Sequence, residues 1–117
     1  MLRLAESGKP IRVVEDHIAS PAYAPALADR TAEFIEKNLT GVFHMGGGTP
    51  ISWFHFAKLI FDTFGMRPSL TPTDEREYRT PAKRPKFSAL SNAKMERHGI
   101  TPMPSMPDAV AAYKAAR

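Results

Sequence analysis

Residues Gly41–Phe61 read GVFHMGGGTPISWFHFAKLIF, and this stretch decides the fold. Gly41–Met45 is apolar at Val42, Phe43 and Met45 and predicts a short strand. Gly46, Gly47 and Gly48 break it. Ser52 suits a helix N-cap, because its hydroxyl can accept from a free first-turn N–H. Trp53, Phe56, Ala57, Ile60, Phe61 and Phe64 recur at helical spacing, and Gly65 suits the left-handed position that stops a helix. A strand, a glycine loop and a helix in that order are a unit of an α/β fold.

The flanks extend the alternation. Upstream, Ile11–Glu15 predicts a strand centred on Val13 and Val14. Ser20–Pro25 is a turn into a helix, with Pro25 acceptable in the first turn. Leu27, Thr31, Phe34, Ile35 and Leu39 predict the buried stripe of that helix, and Asn38 and Gly41 its end. Asp29, Arg30, Glu33, Glu36 and Lys37 fall on its watery side. Downstream, Arg67–Pro72 reads as a short strand, and Ser91 caps a brief helix ending at Gly99. Ser105-Met106-Pro107-Asp108 opens the last helix like a capping box, with Lys114 and Arg117 placed for its C-terminal dipole.

Composition narrows the class. A chain of 117 residues is one domain by length and can bury roughly two-thirds of its unfolded surface. The absence of cysteine excludes disulfides and thiolate metal sites. No apolar run approaches the ~18 residues of a membrane span, and Met1–Leu4 lacks the apolar core of a signal peptide. The expectation is a cytoplasmic chain with no membrane partner. A net charge of +4 favours anionic partners without choosing among nucleotide, nucleic acid and lipid. The 11 prolines predict a loop-rich second half.

That second half contains TPAKRPKFSALSN, Thr80–Asn92. Pro81 and Pro85 stiffen a backbone that carries Lys83, Arg84 and Lys86, since proline fixes its own φ and biases the preceding residue to extended conformations. A guanidinium held in place suits bidentate binding of phosphate or carboxylate. The plainer reading is a solvated basic loop near Asp74, Glu75 and Glu77.

This segment resembles the one near the C-terminus of dTDP-4-dehydrorhamnose reductases, NADPH-dependent sugar-nucleotide reductases of the extended short-chain dehydrogenase family. Arg12–Asp29, RVVEDHIASPAYAPALAD, resembles their strand–Asp-Gln–Gly-Ser-Pro-Thr–helix segment, and Gly41–Phe61 their strand–glycine loop–Ser-Trp–helix segment. The three blocks stand in family order and spacing and cover most of the chain. The resemblance implies the C-terminal part of a Rossmann-type α/β sugar-nucleotide reductase, with short strands, helices and a small α-rich substrate lobe. Residues 1–117 would be the substrate-binding portion, which meets the dTDP-sugar whose 4-keto group is reduced. Met1 would be a truncation point or a misassigned start.

Two parts of such an enzyme are missing from the sequence. There is no Gly-x-x-Gly-x-x-Gly turn to set a helix N-terminus on a pyrophosphate, and no acidic residue at the ~20-residue offset for a ribose. There is no Tyr-x-x-x-Lys pair: Tyr23 and Tyr113 lack a lysine four residues on, and Tyr78 meets Lys83 only at five. The NADPH site and the catalytic residues would therefore belong to an N-terminal portion absent here, and the chain alone would be inactive.

The resemblance implies a sugar-nucleotide contact at Arg84; Lys83, Asp16, His17, Ser20, Pro21 and Trp53 are the further candidate substrate contacts, with no catalytic residue and no metal ligand expected. His17 stands where the family has glutamine, Ala19 where it has glycine and Ala22 where it has threonine. Each candidate has a structural alternative. Asp16 could bond nearby backbone amides in an ordinary turn. His17 could be a hydrogen-bonded structural histidine. Gly46–Gly48 could cradle a phosphate or form a flexible turn. Trp53 could stack on a base or sugar, though its place on the helical stripe favours core packing. His44, His55 and His98 are too scattered for a metal site. A regulatory binding subunit of the same superfamily and a basic nucleic-acid module are the rival readings. The second is disfavoured because Trp53, Phe56, Phe61 and Phe64 follow a core stripe instead of interleaving with the basic loop. Expected partners are the dTDP-sugar, the absent half and a second copy in a homodimer.

Overall fold

The structure, a computed structural model, describes residues 1–77 and 81–117. The Tyr78–Lys83 spacing and Thr80, the head of the basic motif, lie outside the described residues. In chain order the elements are α1 (Leu2–Glu6), β1 (Ile11–Val14), β2 (Ile18–Ala19), α2 (Ala24–Glu36), β3 (Ile51–Ser52), α3 (Trp53–Phe64), β4 (Leu70–Thr73), α4 (Ala93–Arg97) and α5 (Met106–Ala115). The α/β class expected from the alternation holds.

β1 and β4 pair in parallel, with Ile11 opposite Leu70 and Val14 opposite Thr73. Burial along β1 alternates as a strand with one covered face requires: Ile11 and Val13 are buried and Arg12 is exposed. α3 covers that face, and Ala57 and Phe61 close on Ile11 and Val13, with Phe54, Ile60, Met66 and Leu70 around them. Pro72 is tolerated in β4 because, among the described residues, the strand has a ladder partner on one side only. The caps read from the sequence form. Ser52 Oγ accepts from His55 N–H at 3.2 Å, and Gly65 ends α3 at φ 69°.

A second core joins α2 to α4. Ala26, Met95, Ile100 and Met103 are buried there, with Tyr23, Leu27, Phe34, Leu39, Phe43 and Met45 packed against them. α2 ends in a Schellman turn. Leu39 N–H donates to the Phe34 carbonyl, Asn38 N–H donates to the Ile35 carbonyl, and Asn38 takes φ 52°. α5 starts at Ser105, whose Oγ accepts from Asp108 N–H at 3.3 Å.

Three expectations are corrected, and one is extended. Gly41–Met45 is not a strand, because a strand needs a ladder partner and none lies beside it among the described residues. Phe43 instead meets Phe34 edge-on at 4.7 Å, under the Lys94 ammonium. On α2, Ile35 is 72% exposed and Thr31 turns its hydroxyl back to the Leu27 carbonyl, while Ala26 is buried in their place. Lys114 sits in the last turn of α5 as expected, and it also reaches across to the Thr63 carbonyl at 2.8 Å, which pins α5 to α3. Asn92, not Ser91, stands at the N-cap of α4, and its side chain is engaged elsewhere.

Candidate functional site

Because β1 and β4 run in parallel, the loops that leave them emerge side by side at their carboxyl ends. An open α/β sheet places its ligand crevice at that edge. Asp74 turns the second loop by accepting from Arg76 N–H at 2.9 Å and Glu77 N–H at 3.1 Å, and Glu77 returns to pair with Arg12. Glu75 is thereby brought opposite His17. The buried imidazole lies between two carboxylates, its Nδ1 3.1 Å from Asp16 Oδ1 and its Nε2 3.7 Å from Glu75 Oε2.

Lys86 completes the cluster from the basic motif. Its ammonium is 3.3 Å from Asp16 Oδ2 and 3.6 Å from Glu75 Oε1. Partial desolvation pushes the Asp16 carboxyl up, but hydrogen bonds from Lys86, His17 and the Glu75 main chain outweigh it and hold it below the usual carboxylate value. The Asp16 hydrogen bond and then the Glu75 charge raise Lys86. Asp16, His17 and Glu75 offer ligand atoms within 4.8 Å of one another, a metal-capable spacing, but Lys86 already supplies a cation to both carboxylates.

The backbone reinforces this junction. Ile18 pairs antiparallel with Ser52 and parallel with Phe87. Its N–H donates to the Lys86 carbonyl at 2.8 Å, and its own carbonyl accepts from Ser88 N–H at 2.9 Å. Ser20 Oγ accepts from Leu90 N–H at 3.0 Å, and the Ser20 carbonyl accepts from Gly47 N–H at 2.9 Å. Trp53 N–H donates to the His17 carbonyl at 3.2 Å. One edge of the molecule therefore carries the 16–20 turn, the start of α3 and the Lys86–Leu90 segment in a single hydrogen-bonded unit.

The sequence candidates divide within that unit. Asp16 holds Lys86, His17 lies between Asp16 and Glu75, and Ser20 accepts from the Leu90 and Gly47 amides, so the polar atoms of all three are engaged within the unit. Lys83 and Arg84 are exposed, and among the described residues their side chains make no ion pair or hydrogen bond. Pro21 lies behind the unit. With Tyr23, Phe56, Ile60 and Tyr113 it lines an apolar groove of about 840 Å³ that reaches neither Arg84 nor His17. Trp53 is 40% exposed, which corrects the core-packing expectation: Ala57 and Phe61 take the buried positions on α3, one turn and two turns further on. The Gly46–Gly48 turn is packed rather than loose. A Cβ on Gly47 would overlap the Pro21 carbonyl, and one on Gly48 would lie 2.6 Å from the Pro104 carbonyl oxygen. Glu75 and Phe87 went unread as site residues. The only sequence signal for Glu75 was its charge beside the basic loop, and its partner became visible only through the parallel pairing.

The family model of the RmlD substrate binding domain matches residues 1–116. The chain belongs to this family. The RmlD substrate-binding domain of this chain is 33% identical over 102 residues to the spore coat polysaccharide biosynthesis protein SpsK of Bacillus subtilis, covering 87% of the chain and 36% of that protein. It is 34% identical over 111 residues to the dTDP-4-dehydrorhamnose reductase of Salmonella typhimurium, covering 84% of the chain and 36% of that enzyme. The crystal structure of the dTDP-4-dehydrorhamnose reductase of Bacillus anthracis, in complex with NADP, superposes with a TM-score of 0.94 at 30% identity, over 99% of this chain and 41% of that one. The chain thus spans about two-fifths of the length of the relatives it matches. Among the described residues, no helix is long and apolar enough to cross a membrane.

Proposed function

We propose that this RmlD substrate-binding domain is the C-terminal, sugar-nucleotide-binding portion of an NADPH-dependent reductase that converts the 4-keto group of dTDP-4-dehydro-L-rhamnose to an alcohol in dTDP-L-rhamnose biosynthesis. The observation that carries the reading is the loop at the carboxyl edge of β1 and β4: it offers the exposed cations of Lys83 and Arg84, without an ion pair among the described residues, while Lys86 is anchored to Asp16 and Glu75. Arg84 binds the diphosphate through its guanidinium fork, with Lys83 as a flanking charge. Trp53, exposed next to the His17 carbonyl, offers an aromatic face to the base or sugar. Asp16, His17, Ser20 and Pro21 shape the turn beneath the ligand.

The residues of this chain do not fit a dinucleotide. The closed packing of Gly46–Gly48 against Pro21 and Pro104 leaves no backbone cradle for a pyrophosphate in this turn. Asp16 is held ionised by its partners, which suits it to positioning and not to donating a proton. The cofactor, the hydride and the proton donor of this reading belong to an N-terminal portion outside the chain, and the location is cytoplasmic. A homodimer of the full-length protein is part of the same reading.

The test is activity by portion. The chain alone, purified free of host reductases, oxidises no NADPH with a 4-keto dTDP-sugar, while the full-length protein that carries it does. NADPH oxidation by the chain alone, or none by the full-length protein, contradicts the reading.

A further inference from the structure

We infer that Lys86 is a positioning residue, which sets the Lys83–Arg84 loop for its anionic ligand by clamping that loop to Asp16 and Glu75. The inference rests on the nucleotide-binding reading above and deepens it. Lys86 shares the sequence character of Lys83 and Arg84 but not their situation. Its ammonium reaches a carboxylate on each of two loops, 3.3 Å to Asp16 and 3.6 Å to Glu75. Its carbonyl accepts from Ile18 N–H, and Ser88, two residues on, donates back to Ile18. A side chain and a main chain held at the same residue define its orientation, not only its place.

That orientation passes to Arg84 through Pro85, the only residue between them. The ring fixes Pro85 near φ −65° and biases Arg84 to an extended conformation, so few torsions lie between the anchor and the guanidinium. A loop ordered before the ligand arrives loses less entropy on binding. Removing the ammonium also takes away the cation that Asp16 and Glu75 share, which loosens the tie between the two loops.

A simple attraction between the Lys86 charge and the nucleotide predicts something different. That effect is independent of Arg84 and fades with salt. A double-mutant cycle separates the two. In the full-length protein, calorimetric titration with dTDP is compared for wild type, Lys86→Met, Lys86→Arg, Arg84→Met and the double variant Lys86→Met/Arg84→Met, with folding checked by circular dichroism. The expected result is a roughly tenfold weaker affinity for Lys86→Met. Lys86→Arg retains most of the affinity, because a guanidinium can still bridge the carboxylates. In the Arg84→Met background Lys86→Met has no further effect. Faster exchange of the Ile18 and Ser88 amides in Lys86→Met accompanies the loss. Undiminished dTDP affinity in Lys86→Met, or a loss that persists in full without Arg84, overturns the positioning role while leaving the nucleotide reading in place. An Arg84→Met variant that binds dTDP like wild type overturns the nucleotide reading, and the positioning role with it.

Discussion

Asn92 satisfies both main-chain polar groups of Gly46: its Oδ1 accepts from the Gly46 N–H at 2.9 Å and its Nδ2 donates to the Gly46 carbonyl at 3.1 Å. Gly46 is buried, so no solvent stands ready to replace either bond. The pair joins the glycine turn before α3 to the start of α4, 46 residues further along the chain. It also explains why α4 begins without a side-chain cap from Asn92. Asn92→Ala leaves a buried donor and acceptor unpaired and is expected to cost about 1–3 kcal/mol. Asn92→Asp keeps only the acceptor and falls between. Urea unfolding of the three proteins measures it.

Phe61 and Ile35 test the corrected packing. Both lie on apolar stripes in the sequence, yet Phe61 is 3% exposed beneath β1 and Ile35 is 72% exposed. Phe61→Ala should cost about 3–5 kcal/mol through lost burial and a cavity. Ile35→Ala should stay within about 0.5 kcal/mol of wild type. Equal losses in thermal or urea unfolding would contradict the placement of the first core.

The contrast shows what the sequence exposed and what it hid. α3 was legible from end to end because its signals are local: a serine that caps, an apolar period, a glycine that stops. The edges of its stripe were not, since periodicity names a face but not which turns of that face are covered. Trp53 starts the stripe and lies outside the core for that reason. Gly41–Met45 has strand composition, but pairing belongs to two segments and cannot be read from one. Arg84 and Lys86 looked alike in the basic motif. What separates them is Glu75, which reaches Lys86 only because β1 and β4 run in parallel over a long separation in sequence.

The Asp16–Lys86 link carries a pH signature. Asp16 is lowered in the folded state, so its contribution is present above the unfolded carboxylate value and is lost as pH falls through the folded one. Lys86 is raised, so its contribution is present below the unfolded lysine value and is lost as pH rises through the folded one. Protection of the Ile18 and Ser88 amides, corrected for intrinsic exchange rates, should be flat from roughly pH 7 to 9 and drop below about pH 4. In Asp16→Asn the acid drop should shrink.

Trp53 is the one tryptophan of these 117 residues and so reports on the site by itself in the isolated chain. At 40% exposure its fluorescence should be quenched readily by acrylamide. If the ring meets the base or sugar, saturating dTDP-sugar protects it in the full-length protein, read as the difference in quenching between wild type and Trp53→Phe. Quenching typical of a buried indole, in chain and full-length protein alike, would contradict its exposure.

If Arg84 binds the diphosphate, Arg84→Ala in the full-length protein weakens dTDP-sugar binding, and calorimetry measures the loss. Charge-assisted hydrogen bonds in a partly closed cleft are worth about 1.5–3 kcal/mol each. The dissociation constant for dTDP-sugar should therefore rise by roughly one to two orders of magnitude. Arg84→Lys should restore part of the loss, since a point charge cannot reproduce the fork. NADPH affinity should stay as in wild type. Unchanged dTDP-sugar affinity in a folded Arg84→Ala protein would contradict the account.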